Sequence, residues 1–173
     1  MTTFQCTKML LDHLGITVAS SESAGSSDTT LGDWYAKLMV VDRHKVVLWT
    51  NEQTLFSFIM LKVRAKKPEH FNLGFMHGLA MSLQLEGIPL SHVERILREY
   101  DTPMEYTSTR NKSVVASMNQ VGKDFEHMVW YEHGFKYCNI SELIHQLNNT
   151  PWKAIGYKFA ADLVRERVIS RCH

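Results

Sequence analysis

Gly32-Asp33-Trp34-Tyr35-Ala36-Lys37-Leu38-Met39-Val40-Val41-Asp42-Arg43-His44-Lys45-Val46-Val47-Leu48-Trp49-Thr50, running on into Asn51-Glu52-Gln53-Thr54-Leu55, reads as two strands and the turn between them. In the first strand Trp34, Ala36, Leu38 and Val40 share one face, and Tyr35, Lys37, Met39 and Val41 the other, because side chains alternate along an extended chain. Asp42-Arg43-His44 is the predicted turn, and Lys45 to Thr50 returns as the second strand. The hairpin commits the chain to a sheet with at least one antiparallel pair.

Upstream, Thr3 to Cys6 reads as a short strand. Thr7 then caps a helix carrying Met9, Leu10, Leu11 and Leu14, with Gly15 ending it. Ser20 to Thr30 holds five Ser, two Thr and a Gly and no large apolar side chain, which predicts a mobile loop. Downstream, Leu55 to Val63 is almost continuously apolar, the pattern of a central strand covered on both faces. Extended beyond Val63, it would set Lys62, Arg64 and Lys66 on one side.

Helical spacing follows. Phe71, Phe75, Met76, Leu79, Ala80 and Leu83 form one stripe that Gly87 stops, and Pro89 suits the first turn of a helix bearing Val93, Ile96, Leu97 and Tyr100. Glu94 and Arg98 are an i,i+4 pair on its solvated face. Glu105 to Thr107 reads as an edge strand, and Val114, Met118, Val121, Phe125 and Met128 mark a long helix. Two more stripes, Ile140-Leu143-Ile144-Leu147 and Ile155-Phe159-Leu163, are separated by Asn148 to Pro151. The predicted fold is α+β: an antiparallel or mixed sheet of about four to five strands with helices packed on it, the C-terminal part helical. Residues 1–173 are expected to form a single domain.

The composition supports that size. A chain of 173 residues, 45% hydrophobic and 21% charged, buries roughly 70% of the surface its unfolded form exposes, so neither a metal nor a cross-link is needed for folding. The net charge of +1 gives no global attraction to nucleic acid or anionic membrane. The charge is uneven: residues 1–33 carry one Lys and four acids, and residues 151–173 five bases and two acids. Cys6, Cys138 and Cys172 form no short motif and read as free thiols of a reducing cytoplasm. No apolar run is long enough for a signal core or a membrane span, so the expected location is cytoplasmic, with no membrane partner.

Four motifs in order carry a resemblance: Cys6-Thr7-Lys8, Gly32-Asp33-Trp34-Tyr35-Ala36, Asn51-Glu52-Gln53-Thr54-Leu55, and Thr107-Ser108-Thr109-Arg110-Asn111-Lys112-Ser113 leading to Ser117-Met118-Asn119. With these the chain resembles a bacterial domain family of unknown function from about Thr3 to Met128. Residues 139–173 lie outside the resemblance, as a helical C-terminal extension. The resemblance implies no activity, cofactor or catalytic residue.

Thr107 to Asn119 is the strongest ligand candidate. Ser108 and Ser113 supply hydroxyls, Arg110 and Lys112 supply charge, and a helix starts there; unpaired N–H groups and a positive helix end suit a phosphate or carboxylate. The plainer reading is that Thr109 or Asn111 caps the helix while the cations face water. Arg64, Lys66 and Lys67 are candidate phosphate contacts or a solvated strand end. Trp34 is a candidate stacking platform or a buried pillar of the sheet. The nine histidines lack metal-ligand spacing, and neither Cys6 nor Cys138 has an assignable activating partner, so no metal, cofactor or catalytic residue is assigned.

Three functions are open. The leading one is a binding or regulatory domain for a phosphate-bearing ligand such as nucleic acid, using Arg64, Lys66, Lys67, Arg110, Lys112, Ser108 and Ser113. The second is a protein–protein interaction module. The third is a hydrolase with Asp33 or Glu52 as general base near Arg110. The three differ in one geometric respect: whether the segments around Trp34, Asn51 and Arg110 meet.

Overall fold

The computed structural model describes residues 2–18 and 27–170. β1 (Thr2–Cys6) leads into α1 (Lys8–Leu14), and β2 (Trp34–Val41), β3 (His44–Asn51) and β4 (Ser57–Met60) follow. Next come α2 (Pro68–Leu85), α3 (Leu90–Tyr100), β5 (Met104–Ser108) and α4 (Lys112–Tyr131). The C-terminal part holds α5 (Ile140–Asn148), a small ribbon of β6 (Pro151–Trp152) and β7 (Lys158–Phe159), and α6 (Ala160–Ser170). The main sheet is mixed, in the order β4-β3-β2-β1-β5. β1 lies parallel to both β2 and β5, while β2, β3 and β4 are antiparallel. The α+β fold read from the sequence is the one observed.

The hairpin forms as its alternation requires. Asp42 and Arg43 alone make the turn, with φ of 46° and 65°, and His44 already pairs with Val41. Two consecutive positive φ values give the turn whose twist matches the strands.

Alternation also divides the sheet into two different faces. Phe4, Trp34, Trp49 and Phe58 face α2, where Trp49 stacks on Phe71 at 4.8 Å and Phe4 meets Phe75 at 4.6 Å. Gly74 and Gly78 let α2 approach β4: a Cβ on Gly78 would come within 2.6 Å of the Phe58 ring. The opposite face receives α4, whose Gly122 rests against Met39 and Leu48 and whose Asn119 Oδ1 accepts from Lys37 Nζ at 2.8 Å.

Several expectations need correction. The apolar run at Leu55 to Val63 is not a central strand: only Ser57–Met60 is extended, at the sheet edge. It is apolar because α2 packs against β4 and α5 covers it as well. Residues 61–67 do not continue it, since Lys62 and Lys66 take φ of 58° and 55°, outside the extended region. Ile155 and Phe159 belong to no helical stripe; Ile155 ends a 3-10 turn, Phe159 lies in β7, and α6 buries Ala160, Ala161, Val164 and Val168 instead. On α3 an i,i+4 ion pair joins Arg95 to Glu99, at 3.7 Å. Most of the loop expected at Ser20 to Thr30 lies outside the described residues. Its end is anchored by polar contacts: Thr30 N–H and hydroxyl donate to Glu99 at 2.6 and 2.7 Å, and Thr29 donates to Tyr100 at 3.2 Å. Thr30 is 2% exposed.

The C-terminal helices share the core. Leu143, Ile144, Leu147, Ala160, Val164 and Val168 join the same apolar cluster as the sheet. Glu86, at the end of α2, accepts from Asn149 Nδ2 at 3.1 Å and Arg165 at 3.4 Å and contacts His145 Nδ1 at 2.9 Å. That network secures α5 and α6 to the centre of the chain.

Candidate functional site

The α4 face of the sheet is polar at one end. Gln5 is registered with Tyr35 on one side and Thr107 on the other, so the three side chains lie on one face. Thr3 and Asp33 extend that face by two residues along their own segments. Gln5 and Thr107 are 3% and 6% exposed. Polar side chains buried in a sheet need partners, and the chain entering α4 supplies some of them. The Arg110 N–H donates to Gln5 Oε1 at 3.1 Å, and the Asn111 N–H donates to Tyr35 Oη at 3.1 Å. Glu52, the first residue beyond β3, donates its N–H to the Asp33 carbonyl at 3.1 Å.

The segments around Trp34, Asn51 and Arg110 therefore meet, with Asp33, Tyr35, Glu52 and Arg110 as their shared side chains. Burial pushes the Asp33 carboxyl above its ordinary range, opposed by the Thr3 backbone, the Gln5 amide, the Arg110 charge and the Ser27 backbone. Burial and then the charge of Asp33 push Glu52 up, opposed by the Tyr35 hydroxyl and Arg110. Burial also raises Tyr35. Asp33 Oδ1 and Thr107 Oγ1 are buried without a hydrogen-bond partner among the described residues. Unsatisfied buried acceptors cost free energy unless a ligand or water meets them. The cluster can therefore accept hydrogen bonds, hold protons to higher pH than ordinary carboxylates do, and it includes one guanidinium.

The predicted ligand residues do not form one surface. Ser108, Arg110, Lys112 and Ser113 are exposed around the start of α4. The cap reading describes its backbone: Asn111 Oδ1 accepts from Ser113 N at 3.0 Å and from Val114 N at 3.4 Å, so these two donors are engaged. Arg64, Lys66 and Lys67 are exposed between β4 and α2, and α2 packs on the face opposite to α4. The Lys66 N–H bonds to the His13 carbonyl at 3.1 Å. Trp34 is fully buried, its Nε1 donating to Tyr100 Oη at 3.0 Å; it is the pillar of the sheet rather than a stacking platform. Asn51, also fully buried, bonds Leu31 and Asp33 carbonyls through Nδ2 and Thr54 through Oδ1. Its duty is to hold the turn that presents Glu52.

Gln5 was not anticipated as a site residue, whereas Thr107 opens the segment named as the strongest ligand candidate. The sequence carried one signal, Gln5 between Phe4 and Cys6 in a strand, where a buried polar side chain needs a specific partner.

Residues 3–163 match the family described as Domain of unknown function (DUF6933). The chain belongs to that family. The DUF6933 match runs past Met128, where the motif resemblance stops, and takes in α5, the ribbon and the first residues of α6. No curated protein and no solved structure matches the chain. Every residue of the polar cluster lies within the DUF6933 region.

Other chemistry in the DUF6933 domain is limited. Cys6 is fully buried and burial pushes its thiol far up, so it holds no reactive thiolate. Among the described residues no three His, Cys, Asp or Glu side chains gather to hold a metal ion, and no helix is long and apolar enough to cross a membrane.

Proposed function

We propose that this domain binds a small polar molecule bearing a phosphate or carboxylate at the Asp33–Tyr35–Glu52–Arg110 cluster and hydrolyses it by acid–base chemistry. The observation that carries the reading is the convergence of two carboxylates, both raised by burial, beside a tyrosine and an arginine. A carboxyl group raised toward neutral pH is a better proton donor and acceptor under ordinary conditions. Glu52, raised by Asp33 as well as by burial, is the proton-transfer group; Asp33 fixes its environment and offers Oδ1 to a donor on the ligand. Arg110 anchors the anionic group, where a guanidinium is suited to both oxygens of a carboxylate or phosphate.

A polymeric phosphate ligand has less support. Two first-turn donors of α4, Ser113 N and Val114 N, are taken by Asn111, and the cations of residues 64–67 lie off the α4 face. The reading places the domain in the bacterial cytoplasm, where Cys6 and Cys138 stay reduced.

The test is a panel of phosphomonoesters, carboxylate esters and amides, each paired with a neutral analogue, followed by thermal shift and product formation. The expected result is a shift for anionic members only, lost in Arg110→Ala, and turnover lost in Glu52→Gln with binding retained. Shifts that survive Arg110→Ala, or turnover that survives both Glu52→Gln and Asp33→Asn, would overturn the proposal.

A further inference from the structure

The last turns of α4 present more aromatic surface than the core uses. Phe125 and Val129 point inward, but Trp130 and Tyr131 are 75% and 77% exposed. Large exposed aromatic side chains gathered at one place are a recurrent mark of contact surfaces. Beside Trp130, between the end of α4 and the β2–β3 turn, lies a cavity of about 910 Å³. Asp42, Glu126 and Glu132 line it with Trp130 and Tyr131, and no Lys or Arg does. A second hollow of about 620 Å³ on the other side of Trp130 adds Asp124, with Lys123 as its one cation. Neither Glu126 nor Glu132 is in an ion pair among the described residues. Asp42 uses one oxygen, Oδ2, to accept the Phe135 N–H at 3.0 Å.

We propose that this face docks a basic segment of a partner protein, with an arginine or lysine of that segment over the Trp130 ring and Glu126 and Glu132 beside it. A cation over an indole face is attracted by the ring and by the carboxylates at once. Charge complementarity selects this occupant: a face of aromatic rings and carboxylates repels acidic partners and nucleic acid. A second copy, which would bring its own exposed Arg64, Lys66 and Lys67, is the competing occupant that the test below separates. The face lies at the far end of α4 from the polar cluster and does not depend on the proposed hydrolysis.

The test uses the full chain and two fluorescently labelled peptides of equal length, one arginine-rich and one glutamate-rich, titrated by anisotropy at low and near-physiological salt. The basic peptide alone is expected to bind, more weakly at the higher salt. Trp130→Ala, at an exposed position where folding is undisturbed, is expected to weaken it roughly 3- to 30-fold, and Glu126→Gln with Glu132→Gln is expected to flatten the salt dependence. Equal binding of both peptides, no binding, or unchanged affinity in Trp130→Ala would overturn the proposal. A wild-type dimer that Trp130→Ala converts to monomer in sedimentation would also overturn it, assigning the face to a second copy.

Discussion

Asn148, the last residue of α5, grips Ser57 of β4 with both ends of its amide: Oδ1 accepts the Ser57 N–H at 2.8 Å, and Nδ2 donates to the Ser57 carbonyl at 2.8 Å. The side chain thus occupies the outer edge of β4 as a neighbouring strand would, and closes part of an edge that otherwise invites pairing. Asn148→Ala leaves a buried N–H and C=O unpaired and is expected to cost about 1–3 kcal/mol. Urea denaturation measures it; an unchanged midpoint would show that water serves equally well there.

The same contact, with the Glu86 network, binds the C-terminal third to the rest. Residues 1–173 are expected to unfold in one calorimetric transition, and a chain ending at Gly134 is expected to lose that transition. Two separate transitions in the full chain would disprove the coupling.

Gly78→Ala sets two effects against each other. Alanine gains about 1 kcal/mol of helix propensity over glycine, but its Cβ would lie 2.6 Å from the Phe58 ring, and overpacking costs typically about 1–3 kcal/mol. The Phe58 ring is wedged among Trp34, Trp49 and Phe75, so it cannot move cheaply and the steric effect prevails. A lower melting temperature in Gly78→Ala is expected; a higher one would mean α2 shifts freely.

Stability should depend on pH through Glu52. Its raised folded value means that the folded state holds the proton more tightly than the unfolded chain does. The favourable contribution is complete below the ordinary value of 4.5 and is lost as pH rises through the folded value. Glu52→Gln removes the penalty at neutral pH. Because the side chain is only half-buried, solvent screening limits the gain to at most about 1 kcal/mol, or about 2–4 °C in melting temperature. That gain should vanish in scans below about pH 4. A variant less stable than the wild type at pH 7 would contradict it.

Mixed-sequence RNA and DNA are expected not to be retained at near-physiological salt, since Arg110 and Lys112 lie on the α4 side of the sheet and the 64–67 cations do not. If binding is found, and Arg110→Ala with Lys112→Ala lowers the slope of log affinity against log salt by roughly one to two units, the phosphate-polymer reading returns.

The hairpin, α1 and the capped start of α4 were legible because each rests on residues near one another in sequence. The misreadings share a cause. Leu55 to Val63 looks central because periodicity reports covered faces, not lateral neighbours, and α5 arrives from more than 80 residues away. Thr29 and Thr30 look unanchored because their partners, Tyr100 and Glu99, are about 70 residues distant. Asp33, Glu52 and Arg110 could be named from the chain. Their meeting could not, since it depends on Gln5 and Tyr35 reaching backbone N–H groups 105 and 76 residues further on.

The seat of β1 inside the sheet has a consequence for synthesis. Cys6 is paired with Ala36 on one side and with Ser108 on the other, so a strand made before both of its neighbours waits longest for the second. At about 5–20 residues per second, a ribosome needs roughly 5–20 s to cover that distance. During that interval the nascent sheet shows an open flank at β1 rather than at the short β5, and a chaperone that shields extended segments would find its target there.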